Sequence, residues 1–285
     1  MCATCGCGGE TGGLITVPHQ HGPGDDHAHD DHAHDDHAHD DHTHHDHGHP
    51  RHDHAGHEHG ADHVHLPITE TVTLEQRVLA KNDRQAQENR AWLAERGILA
   101  LNMTSSPGAG KTTLLVRTIR ELGAGPIAVI EGDQETLLDA ERIMATGCRV
   151  AQINTGAGCH LDAAMTRRAL DMLAPESGSL LFIENVGNLV CPALFDLGER
   201  GKVVVISVTE GTDKPLKYPH MFSVATLVLI NKIDLLPYVD FDPVRFGELA
   251  RSVNPGVRIL EISASTGAGL GQWYEWLSAQ RVPVR

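Results

Sequence analysis

The hydrophobic pattern divides this chain at about residue 68. Beyond it, apolar runs of strand length recur at Ile98–Met103, Ile127–Ile130, Arg149–Ile153, Leu180–Ile183, Val203–Val208, Leu227–Ile230 and Arg258–Ile262. Stretches with helical periodicity separate most of them, at Glu135–Ala145, Leu161–Leu173, Pro243–Val253 and Leu270–Gln280. Upstream, Thr73-x-x-Gln76 reads as a capping box that opens a helix running to about Gly97. Leu74, Val78, Trp92 and Leu93 give that helix an apolar stripe, interrupted by a polar middle at Asn82, Gln85 and Asn89. Strands alternating with helices predict a mostly parallel sheet with helices on both faces, an α/β fold.

Before residue 68 neither periodicity is present, and composition takes over as the informative property. Nineteen of the 21 histidines lie between His19 and His65. Residues 1–65 hold 13 acidic side chains against one basic, so most of the net charge of −15 belongs to this end. The body is near neutral and offers no basic face for nucleic-acid phosphates. No apolar run approaches the ~20 residues that span a bilayer, and Met1-Cys2-Ala3-Thr4-Cys5 lacks the regions of a secretory signal. The expectation is a soluble cytoplasmic protein, with no nucleic-acid or membrane partner and its six cysteines as thiols or metal ligands. Three segments follow: 1–18, a cysteine-rich start; 19–67, a His/Asp-rich tail; and 68–285, the α/β body.

From Asp25 the tail repeats D-D-H-A-H three times and closes on Asp40-Asp41-His42-Thr43-His44. With almost no apolar surface to offset the entropy of ordering, it is expected to be disordered when metal-free. The imidazoles of His27, His29, His32, His34, His37, His39, His42 and His44 suit nickel, zinc and copper, with the carboxylates as secondary ligands. The expected role is a collector of several ions. Ahead of it, Cys2, Cys5 and Cys7 form a C-x-x-C-x-C cluster able to wrap one ion. Thiolates bind soft and borderline metals by giving up their protons. With Met1 removed, the Cys2 amine adds a nitrogen, and square-planar S/N coordination favours Ni(II) or Cu(II) over tetrahedral Zn(II). A redox C-x-x-C usually opens a helix after a strand, which this stretch does not.

The first strand of the body leads into Ser105-Ser106-Pro107-Gly108-Ala109-Gly110-Lys111-Thr112-Thr113, which meets G-x-x-x-x-G-K-[ST] except for Ser105 in the first glycine position. Gly108 and Gly110 let the backbone around Ala109 turn its N–H groups towards phosphates at a helix N-terminus. Lys111 would reach the β- and γ-phosphates and the Thr112 hydroxyl would bind Mg²⁺. Asn231-Lys232-Ile233-Asp234 ends a later strand as an N-K-x-D tetrapeptide. A carboxylate at Asp234 accepts from guanine N1–H and its exocyclic amine, donors that adenine lacks, so GTP and GDP are the expected nucleotides. Asn231 and Lys232 would tie this loop to the phosphate loop, and Ser263-Ala264 resembles the last base-contacting loop of GTPases. Asp133 and Glu184 end strands and are placed to hold Mg²⁺ or its water, or to orient the attacking water.

A second metal site is expected inside the body. Cys159-His160 follows the loop Asn154-Thr155-Gly156-Ala157-Gly158, and Cys191 lies seven residues beyond Glu184. Cys191, or a second copy of the chain, would complete a site that Cys159 and His160 cannot close alone. A ligand on this loop would respond to the γ-phosphate, as GTPase switch loops do. Buried structural cysteines are the competing reading. Cys148 has the setting of a packing residue, and His220 has no metal-like neighbours.

These residues resemble the hydrogenase nickel-incorporation GTPases, the HypB maturation-factor family. The resemblance rests on Cys2-x-x-Cys5-x-Cys7, Ser106–Thr112, Gly158-Cys159-His160, Glu184–Pro192 and Asn231–Asp234. It implies a GTPase that dimerises with GTP bound and delivers Ni²⁺ to a [NiFe]-hydrogenase large-subunit precursor with an accessory metallochaperone; its turnover is expected to be slow for want of an identifiable arginine finger. It also implies a Ni/Zn site made by Cys159, His160 and Cys191 at the dimer interface, and a base-contacting role for Lys214. The urease-maturation GTPases, the nearest rival, normally carry Cys-Pro-His in place of Gly158-Cys159-His160. A metal store with a vestigial nucleotide site competes from a different class, as does a P-loop kinase or ATPase. No arginine finger is identifiable from sequence.

Overall fold

The computed structural model describes residues 14–16, 68–123, 125–133, 138–156 and 158–281. The Cys2, Cys5 and Cys7 cluster and the eight tail histidines from His27 to His44 fall outside the described residues. In chain order the elements are β1 (Leu14–Thr16), α1 (Ile68–Glu95), β2 (Leu99–Ser105), α2 (Lys111–Leu122), β3 (Ile127–Asp133) and α3 (Leu138–Met144). They continue with β4 (Arg149–Asn154), α4 (Ala163–Leu173), β5 (Leu180–Glu184), α5 (Cys191–Leu194), β6 (Gly201–Ser207) and α6 (Lys214–Lys217). The last are α7 (Pro219–Ser223), β7 (Ala225–Asn231), α8 (Pro243–Val253), β8 (Arg258–Glu261) and α9 (Leu270–Gln280). The strands form one sheet in the order β1-β4-β3-β5-β2-β6-β7-β8, parallel throughout except for β1.

Strand side chains alternate between the two faces, and both faces are covered by helices, as expected. Leu101, Met103, Val203 and Val205 face a core shared with α2 and α9. Ala100 and Ile183 pack towards α1 and α4, and Val204 and Ile206 towards α7 and α8. Because both faces are buried, these strands read as continuous apolar runs.

The structure revises several boundaries. The first helix opens at Ile68, not Thr73. Pro67 precedes it and neither Gly nor Pro occurs before Gly97, so nothing stops the helix from extending past the Thr73 box. α4 begins at Ala163, two residues later than expected, because the Asp162 carboxylate caps the Met165 N–H at 2.7 Å. α3 is described from Leu138, and residues 134–137 of the expected helix lie outside the described set. β1 was not expected. It is three residues long, too short for a periodic signal, and pairs antiparallel with β4 from Leu14↔Asn154 to Thr16↔Gln152.

The polar middle of α1 is a clamp. The buried Asn82 and Asn89 side chains bond to Asp196, Ala163 and Leu197 backbone groups at 2.8 to 3.0 Å. One helix thereby fixes both the start of α4 and the loop after α5, and these two segments flank the residues expected to bind metal.

Candidate functional site

The sheet places the chemistry at the carboxyl ends of its central strands, where open α/β sheets bind ligands. β2 runs into the phosphate loop, with Gly108 at φ +73° and Gly110 at φ +96°. A Cβ on Gly110 would stand 2.6 Å from Asn231 Nδ2, so both conformation and space require glycine there. The Ser105 departure has a structural consequence: its Oγ accepts from Lys111 Nζ at 2.7 Å and donates to the Ser106 carbonyl at 2.5 Å. Ser105 holds the lysine in the cleft, where burial lowers the Lys111 pKa against the opposing charge of Glu184.

The N-K-x-D loop braces the phosphate loop. Asn231 Nδ2 donates to the Ala109 carbonyl at 2.8 Å and Lys232 Nζ to the Gly108 carbonyl at 2.7 Å. Lys232 takes positive φ (62°) to do this. Asn231 Oδ1 accepts from the Ala264 N–H at 3.0 Å, and Ser263 Oγ donates to Asp234 Oδ1 at 2.5 Å, joining the three loops. Asp234 itself is exposed. Lys214 bonds to Ser106 Oγ at 3.3 Å and to Glu210 at 3.3 Å, on the phosphate-loop side.

A cleft of about 440 Å³ opens over the loop, lined by Lys111, Thr112, Thr113, Asp133 and Glu184 among others. The Thr112 hydroxyl donates to Glu184 Oε1 at 2.7 Å. Burial raises the Glu184 pKa, opposed by Lys111 and Thr112. One residue that sequence reading missed is Glu131. It lies opposite Glu184 in the β3–β5 register and is 2% exposed, and its pKa is pushed up to about 9 by burial and then by Glu184, Asp133 and Asp139. Strand alternation was the available signal, since it puts Glu131 on the same face as Asp133. Oε2 of Glu131 and Oε2 of Glu184 are both buried without a hydrogen-bond partner. Two orphaned carboxylate oxygens beside a threonine hydroxyl suit a hard divalent cation such as Mg²⁺.

Cys159, His160 and Cys191 converge, with one ligand atom of each lying within 4.8 Å of the others. The Cys159 and Cys191 sulfurs are 3.1 Å apart, and Cys159 Sγ is 3.6 Å from His160 Nδ1. His160 rests against the Phe195 ring at 4.0 Å, and burial lowers its pKa, favouring the neutral imidazole that ligates metals. The set of soft and borderline donors suits nickel or zinc. Cys148 is buried in the core under α2, a packing residue as expected.

The two centres share one segment. From Glu184, Asn185 Oδ1 accepts from the Leu161 N–H at 3.2 Å and the Val186 N–H at 3.0 Å, while its Nδ2 donates to Asn102 Oδ1 at 3.3 Å. Gly187 lies against Pro107 of the phosphate loop, where a Cβ would come within 3.0 Å of its Cα. Asn188 Nδ2 donates to the Cys159 carbonyl at 3.2 Å, and Cys191 follows at the start of α5. Residues 184–191 thus touch Thr112, Pro107 and Cys159 in turn.

A parallel sheet with a phosphate loop after a central strand and an N-K-x-D loop bracing it defines a P-loop nucleotide-binding protein of the GTPase class. Residues 99–261 match the family described as CobW/HypB/UreG, nucleotide-binding domain. The chain is 58% identical over 209 residues to the hydrogenase maturation factor HypB of Escherichia coli K12, covering 73% of this chain and 72% of that protein. To the HypB of Rhizobium leguminosarum bv. viciae it is 55% identical over 299 residues, covering 100% and 99%. Among solved structures it is similar to HypB from Archaeoglobus fulgidus (TM-score 0.66, 41% identity, 70% of this chain and 98% of that one). It is also similar to HypB from Helicobacter pylori in complex with nickel (TM-score 0.67, 37% identity, 70% and 95%). The chain belongs to the hydrogenase maturation factor HypB family of nickel-binding GTPases.

Proposed function

We propose that the chain is a GTP-hydrolysing nickel metallochaperone acting in the cytoplasm. It stores Ni²⁺ and delivers it to a [NiFe]-hydrogenase large-subunit precursor, as a GTP-dependent homodimer working with an accessory maturation metallochaperone. Residues 1–18 and 19–67 supply the cysteine site and the histidine store, and residues 68–285 form the GTPase domain. The observation that carries the reading is the 184–191 segment, which joins Thr112 to the Cys159, His160 and Cys191 cluster. The nickel complex of the H. pylori relative supports the choice of cargo.

In this reading Gly108, Ala109, Gly110 and Thr113 present the backbone to the phosphates, Lys111 pairs with the β- and γ-phosphates, and Asp234 reads guanine. Asn231, Lys232, Ser263 and Ala264 keep the base loop in place. Thr112, Glu131 and Glu184 would hold Mg²⁺, which neutralises charge on the β- and γ-oxygens when bound. Asp133 stands at the rim to orient water or a Mg²⁺-bound water. Arrival of the γ-phosphate displaces the Thr112–Glu184 contact, and Asn185 and Asn188 pass that movement to Leu161 and Cys159. Release of the nickel ion is then set by the nucleotide state. Lys111→Ala is expected to abolish phosphate release with the bound nickel count unchanged, whereas Cys191→Ala should weaken the internal nickel site with turnover retained. Unchanged turnover in the first, or unchanged nickel affinity in the second, contradicts the assignment.

A further inference from the structure

The cleft holds a guanidinium that sequence reading did not single out. Among the described lining residues the carboxyl groups are Glu131, Asp133, Asp139 and Glu184, and the cations are Lys111, Arg142 and Lys232. Lys232 is held by the Gly108 carbonyl. Among the described lining residues, Lys111 and Arg142 are the cations whose side chains bond to no backbone carbonyl of the phosphate loop, which leaves them free to turn to a triphosphate in this acidic cleft. Arg142 projects from α3 towards the first turn of α2, where its Nη2 donates to Thr113 Oγ1 at 3.3 Å, one residue beyond Thr112. Its charge is also felt at Glu184, where it opposes the effect of burial.

We infer that Arg142 is a phosphate-contacting catalytic residue, an arginine supplied within the same chain for the hydrolysis of the bound triphosphate. The inference rests on the reading of the cleft as a GTP site. Arg142 Nη1 pairs with Asp139 at 3.0 Å, and both side chains are about half exposed (51% and 42%). An exposed pair of this kind contributes little, whereas a guanidinium on phosphate oxygens makes charge-assisted, bidentate bonds. Exchange of Asp139 for phosphate is therefore favourable, and the bond from Nη2 to Thr113 keeps the group beside the phosphate loop. In hydrolysis the water oxygen bonds to the γ-phosphorus while the bond to the β–γ bridging oxygen breaks. Both of the water's protons leave with inorganic phosphate, as H2PO4⁻, and the freed charge stays on the β-phosphate of GDP. Arg142 offsets that charge from the α3 side and Lys111 from within the phosphate loop.

The test uses the full chain and measures phosphate release and GTP affinity for the parent, R142Q, R142K and R142A. R142Q is expected to lower kcat on the order of 100-fold, the scale for loss of one transition-state donor. R142K should fall between R142Q and the parent, and free guanidinium should restore part of the R142A rate, which a purely structural arginine would not allow. Nickel stoichiometry and melting temperature should match the parent. Turnover of R142Q within twofold of the parent overturns the inference, as does a loss in R142A that guanidinium leaves untouched. A parent that neither binds nor hydrolyses GTP fails the underlying reading of the cleft, a result distinct from either.

Discussion

Glu131 is an acid that the fold buries at a cost, and the cost can be measured. Its pKa moves from the ordinary 4.5 to about 9, driven by burial and then by Glu184, Asp133 and Asp139. Between those values the native state holds a proton that the unfolded state has released, so stability falls as pH rises from about 4.5 to about 9. At pH 7 the interval above 4.5 is 2.5 pH units; at about 1.36 kcal/mol each, this amounts to on the order of 3 kcal/mol. At pH 5 the same reasoning leaves under about 1 kcal/mol. Glu131→Gln keeps the shape and removes the titration. The variant should therefore melt about 6–12 °C above the parent at pH 7 and only about 2 °C above it at pH 5, for a domain of this size. The assay is thermal unfolding at the two pH values with chelator present and nucleotide absent. A gap that does not widen between pH 5 and pH 7, or a variant less stable than the parent, refutes the argument. Because Glu131 lines the cleft and its buried Oε2 has no hydrogen-bond partner, the stabilised variant is also expected to hydrolyse GTP more slowly.

Gly110→Ala should abolish GTP binding while leaving the fold intact, because the new Cβ meets Asn231 Nδ2 at 2.6 Å on a backbone with φ +96°. The strain of that conformation alone is about 1–2 kcal/mol, and a fluorescent GTP analogue bound with parental affinity would contradict the prediction. Deleting residues 19–65 should reduce the number of nickel ions bound, with GTP turnover retained and hydrogenase maturation sustained when nickel is plentiful. Maturation lost under ample nickel would give the tail a role beyond storage.

The fold was legible because a parallel sheet buried on both faces writes its strands as apolar runs, and because Pro243 and Leu270 open helices without ambiguity. The phosphate loop and the base loop were legible as local motifs, and Cys159, His160 and Cys191 as unusual residues on loops. Contacts made across the sheet were not. Glu131 acquires its role from the register with Glu184, and Arg142 from the packing of α3 on α2. The clamp formed by Asn82 and Asn89 on the 196–198 loop depends on residues more than 100 positions apart, and no periodicity reports that pairing. The strand β1 was hidden by its length, three residues paired antiparallel with β4.

The central claim is that nucleotide state controls the internal metal site through residues 184–191. The most direct test is a nickel titration of residues 66–285 with GDP and with a non-hydrolysable GTP analogue. The account predicts a different nickel affinity or stoichiometry in the two states, with the difference abolished by Cys191→Ala. Equal binding with GDP and with the GTP analogue would contradict it and leave a GTPase and a metal store that merely share a chain.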